Sequence, residues 1–116
     1  MLEASAAAWN RGDLDRFLDD YAEDATFVGG SGLIRGVAEL ERRYRAAYWT
    51  DAGPRDTLRF ADIRVTPLGP DHALAVGRFI LTAPDGAVTS TGFFTLVLVR
   101  TGSGWRIVHD HSSEIG

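Results

Sequence analysis

Phe93-Phe94-Thr95-Leu96-Val97-Leu98-Val99-Arg100, then Thr101-Gly102-Ser103-Gly104, then Trp105-Arg106-Ile107-Val108-His109-Asp110-His111-Ser112 carry two strand signatures in succession. The first run is aromatic, leucine or β-branched at both alternating sets of positions, so both faces of that strand call for burial. Gly102-Ser103-Gly104 supplies a tight turn, after which the second run resumes with period two. A hairpin this apolar cannot lie at an exposed sheet edge. At its far end the apolar character stops and two histidines, an aspartate and a serine follow one another. The pattern predicts a central hairpin whose last strand runs from core into a polar site.

At 116 residues the chain is expected to form one domain, 1–116, with a single core. The opening Met1-Leu2-Glu3-Ala4-Ser5 has an acid where a secretory leader has positive charge, and no apolar run reaches membrane length. A cytoplasmic protein without membrane contact is the expectation. There is no cysteine, which excludes disulfides, thiolate nucleophiles and zinc–thiolate sites. All twelve basic residues are arginine, so lysine Schiff-base chemistry is excluded as well. A net charge of −4 with scattered arginines argues against a nucleic-acid partner.

Upstream, residues 2–11 read as a helix, with Leu2, Ala6 and Trp9 on one side and Asn10-Arg11-Gly12 as its stop. Asp13 caps a second helix carrying Leu14, Phe17, Leu18 and Tyr21 at spacings of three and four. Asp15, Asp19 and Asp20 read as its solvated side. Ala25 to Val28 is a short strand, broken by Gly29-Gly30-Ser31-Gly32, with Leu33-Ile34-Arg35 as its hairpin partner. A third helix runs from Val37 to about Trp49, its apolar stripe being Val37, Leu40, Tyr44 and Tyr48 with Glu41 at the margin. Buried phenols need a partner or a wet cavity, so Tyr44 and Tyr48 suit either a pocket wall or a core side. After a loop at 50–56 come strands at about 58–68, 72–83 and 88–100, separated by Gly69-Pro70-Asp71 and Pro84-Asp85-Gly86.

This order predicts a segregated α+β fold, three N-terminal helices covering one face of a strongly curved, mostly antiparallel sheet. Nothing remains to cover the other face, so a homodimer through the outer sheet face is expected.

Trp9-Asn10-Arg11-Gly12-Asp13-Leu14-Asp15, Tyr21-Ala22-Glu23-Asp24-Ala25-Thr26-Phe27 and Gly104 to Ser113 resemble the nuclear-transport-factor-2-like superfamily. Within it the chain is most similar to SgcJ/EcaC-type and SnoaL-like small proteins and to the calcium/calmodulin-dependent kinase association domain. The resemblance covers the whole chain. It implies a cystatin-like α+β cone with a pocket at the wide end, in a superfamily that includes isomerases, dehydratases, cyclases and epoxide hydrolases beside members that only bind or assemble. Arginines hold carboxylates in the kinase domain. Arg78 falls at one such position, but Leu96 and Ser112 occupy two others, and Glu41 falls near a pocket histidine. The resemblance also places the Asp110–Ser112 face inward.

Arg78 sits among small and apolar residues, and an arginine entering a core must be paired. Asp110 and Arg78 are therefore the catalytic candidates, as a base and the cation that tunes it, or else a structural ion pair. Strict alternation puts His109 and His111 with Trp105 and Ile107 on the face opposite Asp110, unless a bulge intervenes. No third ligand accompanies the histidines, so no metal or other cofactor is expected. The candidate substrate-binding residues are Phe17, Tyr21, Glu41, Tyr44, Tyr48, Leu96, His109 and Ser112. Two functions fit: a cofactor-independent isomerase, cyclase or dehydratase-type enzyme moving a proton on a small apolar or polyketide-like substrate, and a non-catalytic homodimeric domain holding a small organic acid.

Overall fold

Apolar side chains three and four apart make residues 2–10 and 14–18 helical. In the computed structural model, which describes residues 1–30 and 32–115, α1 (Leu2–Asn10) and α2 (Leu14–Leu18) meet at a tight joint. Gly12 takes φ of 82° there, open to glycine at little cost. The Asp13 side chain accepts a 3.1 Å bond from the Arg16 backbone N–H, capping α2 as expected. The second helix stops earlier than its periodicity suggests. Tyr21 does not ride on it but opens strand β1 (Tyr21–Gly29). Asp20 supplies the reason. Its carbonyl accepts a 2.7 Å bond from the Ile107 N–H, and its carboxylate accepts from the Ser5 hydroxyl and, at 3.2 Å, from the Arg16 guanidinium. These tertiary partners draw the chain out of the helix, and Asp20 is buried rather than solvated.

β1 returns through β2 (Gly32–Arg35) to α3 (Val37–Tyr48). Ser31, in the glycine loop between them, lies outside the described residues. The expected loop contains a two-stranded ribbon, β3 (Trp49–Thr50) with β4 (Gly53–Pro54). Four long strands follow: β5 (Thr57–Pro67), β6 (His72–Thr82), β7 (Val88–Thr101) and β8 (Gly104–Glu114). The main sheet has the order β2-β1-β8-β7-β6-β5, and every pairing is antiparallel except β1 with β8. The β7–β8 hairpin thus lies inside the sheet, where its apolar runs require it. This is the curved α+β cone expected from the sequence.

Breaks in register bend the sheet. One falls between Ala61 and Arg64 of β5, where Asp62 takes φ of 56°, and another between Ile107 and His109 of β8. Gly92 marks the closest approach of two strands, since a Cβ there would collide with the Ser113 carbonyl.

The helices fill the concave side. Asn10 fixes α1 to β5 with both ends of its amide: it accepts from Leu58 N–H at 2.7 Å and donates to Leu58 C=O at 2.9 Å. Trp9 donates from Nε1 to the Asp56 carbonyl at 3.1 Å. Around these contacts Ala8, Leu14, Phe17, Leu18, Leu40, Leu81, Phe94 and Leu96 form the core. The convex face carries no helix. Phe93 is 56% exposed on it, beside half-buried Val76 and Val97.

Candidate functional site

The core is incomplete toward the wide end of the cone. An inner cavity of about 100 Å³ remains between α1, α2, α3 and the concave sheet face. Its wall is aromatic: Trp9 packs against Phe17 at 5.1 Å and Tyr44 at 5.7 Å between ring centres, and Phe60 against Phe94 at 5.3 Å. These are edge-on or tilted arrangements of the kind that stabilise clustered rings. Phe27, Tyr44, Tyr48, Phe79 and Ser112 line both this cavity and an outer vestibule of about 710 Å³. The vestibule lies among the C-terminal half of α3, the glycine loop and the end of β8, and its wall includes Arg43, Ser90, His111 and Glu114.

Asp110 faces the inner cavity and is 5% exposed. The Tyr21 hydroxyl donates to its Oδ2 at 2.7 Å and the Ser112 hydroxyl to its Oδ1 at 2.7 Å. Burial raises the carboxyl's proton affinity above the ordinary value. The two hydroxyl bonds and the charges of His109 and His111 partly oppose that rise. Burial and the Asp110 charge also push the Tyr21 and Tyr44 phenols well above the usual tyrosine range. Both phenols therefore stay protonated. The site is a carboxylate held by neutral donors, with no arginine or histidine among the described residues of the inner cavity wall.

A single extra residue makes this arrangement possible. Leu96 lies opposite Asp110, Val97 opposite His109 and Leu98 opposite Ile107, leaving Val108 as a bulge. The bulge shifts the phase of β8 by one residue. Ile107 and Asp110 then face the same cavity, although alternation assigned Ile107 to the histidines' face.

Of the residues singled out from the sequence, Phe17, Tyr21, Tyr44, Tyr48, Leu96, Asp110 and Ser112 converge on the inner cavity. Three do not. Arg78 pairs across the strands with Phe93 on the convex face, its guanidinium 6.0 Å from that ring and 3.9 Å from the Asp62 carboxylate. Its Nε has no hydrogen-bond partner among the described residues. It reaches neither cavity, and the expected ion pair with Asp110 is not formed; the small residues around Arg78 reflect a close-packed sheet, not a pocket. Glu41 points along α3 to Arg45 at 3.0 Å. His109 faces outward, its Nδ1 2.6 Å from the Thr26 hydroxyl. The missed residues include Ser5, Trp9, Phe27, Phe60, Phe79 and Phe94 in the cavity and His111 in the vestibule. The phenylalanines alternate inward along their strands, a visible signal, but one shared with any core strand.

The curved sheet, its helical filling and its open wide end define a nuclear-transport-factor-2-like cone. The chain belongs to the SnoaL-like domain family, which matches residues 1–115. Among solved structures it is similar to a nuclear-transport-factor-2-like protein of unknown function from Shewanella oneidensis MR-1. That likeness has 31% identity and a TM-score of 0.81 over 97% of this chain and 92% of the other. A ketosteroid isomerase-like protein from Erwinia carotovora atroseptica is similar at 21% identity and a TM-score of 0.73, over 99% and 91% of the two chains. A structure described as a calcium/calmodulin-dependent protein kinase II association domain, from Xanthomonas campestris, has 20% identity and a TM-score of 0.77 over 98% and 82%. The last two likenesses show the fold alone. None of the curated proteins matches the chain. Among the described residues no helix is long and apolar enough to cross a membrane.

Proposed function

We propose that the chain is a small-molecule enzyme that moves a proton without a cofactor, in the manner of an isomerase, cyclase or dehydratase, with Asp110 as its acid–base group. One observation carries this: a carboxylate 5% exposed faces an aromatic cavity whose described lining holds no basic side chain, and two hydroxyls donate to it. Such a group costs stability, and desolvation moves its proton affinity toward the range useful for catalysis near neutrality. Asp110 takes a proton from a carbon next to a carbonyl and returns it elsewhere on the same molecule. The Tyr44 or Tyr48 hydroxyl supports the negative charge that develops on the carbonyl oxygen.

Binding of an organic acid gains less support, because Arg78 lies outside both cavities and Asp110 would repel a carboxylate. The test is deuterium uptake from heavy water into cyclohex-2-enone, followed by proton NMR. The native chain should accelerate uptake over buffer, and Asp110→Asn should lose about 10²–10⁴ of that rate. Equal uptake by both proteins, or none above buffer by the native chain, would refute the role. We further propose that the helix-free convex face, with Phe93 exposed at its centre, joins two copies of the chain.

A further inference from the structure

Resting on the role of Asp110 just given, we propose that the ligand is bipartite: a neutral head of one ring fills the inner cavity, and a larger polar remainder stays in the vestibule. The inner volume of about 100 Å³ sets the size of the head. A dry apolar cavity of about 150 Å³ takes benzene. One five- or six-membered ring is therefore the ceiling, and a fused bicycle exceeds it. The edge-on rings of Trp9, Phe17 and Tyr44 around that space favour a flat guest.

Charge sets the second limit. Among the described residues Asp110 is the only carboxylate on the inner wall and no basic side chain joins it. An anionic head would be buried unpaired beside a like charge. A cationic head such as an ammonium would shed its hydration and bring three donors to one carboxylate in an otherwise apolar wall, where most of them would be buried unpaired. An ionised carboxylate still has lone pairs free for one further donor, so a neutral ring bearing a hydroxyl or an acidic C–H suits it.

Adjacency sets the third. Phe27, Tyr44, Tyr48, Phe79 and Ser112 line both spaces, so the two lie directly against one another. The vestibule's 710 Å³ lies within the range that encloses a drug-sized molecule. Its wall differs in character from the inner one, with Arg43, Ser90, His111 and Glu114 offering donors and acceptors to a polar remainder.

The test uses phenol, 2-naphthol, benzoate, benzylamine and the hydroquinone monoglucoside arbutin. Each is soaked into crystals of the full chain and titrated in solution by isothermal calorimetry. Phenol should occupy the inner cavity with its hydroxyl on Asp110, and Asp110→Asn should weaken it by roughly tenfold or more. Arbutin should bind about tenfold tighter than phenol, with its sugar in the vestibule. 2-Naphthol, benzoate and benzylamine should stay out of the inner cavity. Entry of 2-naphthol overturns the size limit, and entry of benzoate or benzylamine overturns neutrality. Arbutin binding no tighter than phenol overturns the bipartite division. An empty inner cavity in every soak, with Asp110-dependent deuterium uptake intact, sinks this inference while sparing the proton-transfer role; loss of both sinks both.

Discussion

Replacing Tyr21 by phenylalanine removes one oxygen and leaves the ring in its place among Phe17 and its neighbours. That oxygen donates at 2.7 Å to a carboxylate which is 5% exposed. A hydrogen bond to a charged group contributes about 1.5–3 kcal/mol, one between neutral groups about 0.5–1.5 kcal/mol. The loss therefore depends on whether Asp110 carries its charge. The folded-state proton affinity of Asp110 is raised above the unfolded value, chiefly by burial. Its contribution to stability is full below the unfolded carboxylate pKa and is lost as pH rises through the folded one. The Tyr21 bond lowers the folded pKa, so Tyr21→Phe raises it further. The variant should consequently cost least at low pH, where Asp110 is protonated in both proteins. The gap should widen as pH climbs past the native folded pKa and reach its full size above the variant's. Urea unfolding followed by tryptophan fluorescence from pH 3 to pH 9 reads this directly. A loss of about 1 kcal/mol in acid should grow to about 2–3 kcal/mol in mild alkali. At 116 residues the latter corresponds to a Tm lower by roughly 8–15 °C. A gap constant across the range would refute the coupling between Tyr21 and Asp110, and with it the account of how that carboxylate is held.

Asp110→Asn removes the buried charge itself, so it should be more stable than the native chain at pH 8 and lose that advantage in acid; calorimetry at both values checks the crossover. Asn10→Ala leaves the Leu58 N–H and C=O without their side-chain partners and should cost about 2–4 kcal/mol in urea unfolding, with no pH dependence. Phe93→Asp places a charge on the convex face without touching the cavity, and analytical ultracentrifugation should find a monomer where the native chain sediments as a dimer.

The β7–β8 hairpin shows why the fold was legible and the site only partly so. A run such as Leu96-Val97-Leu98-Val99 can be satisfied only inside a sheet, so its central place followed from elementary burial. Helical spacing likewise announced α1 and α3. Asp13 was recognisable as a cap from its residue type alone. Tyr21 was misplaced on a helix because the force that ends α2 is tertiary. The bond from Ile107 to the Asp20 carbonyl spans most of the chain and leaves no local mark in the sequence. Period two fixed the inward turn of Asp110 only relative to its neighbours. The bulge at Val108 then changed which neighbours share its cavity.

Arg78 carries the more general lesson. A charged residue among glycine, alanine and valine looks buried, and burial of a charge implies a partner. Here one face of the strand packs on the core, while on the other the Arg78 guanidinium meets Phe93, Thr91 and Asp62 and stays partly exposed. Sequence alternation says that two faces exist but not which of them a cavity will use. Asp110 had the cavity, and the hydroxyls of Tyr21 and Ser112 replaced the arginine as its partners. That substitution matters for chemistry. A guanidinium would hold the carboxylate ionised and weakly basic, whereas two neutral donors leave burial to raise its proton affinity. The same departure from expectation that removes Arg78 from the site thus leaves Asp110 with the raised proton affinity that the proposed proton transfer calls for.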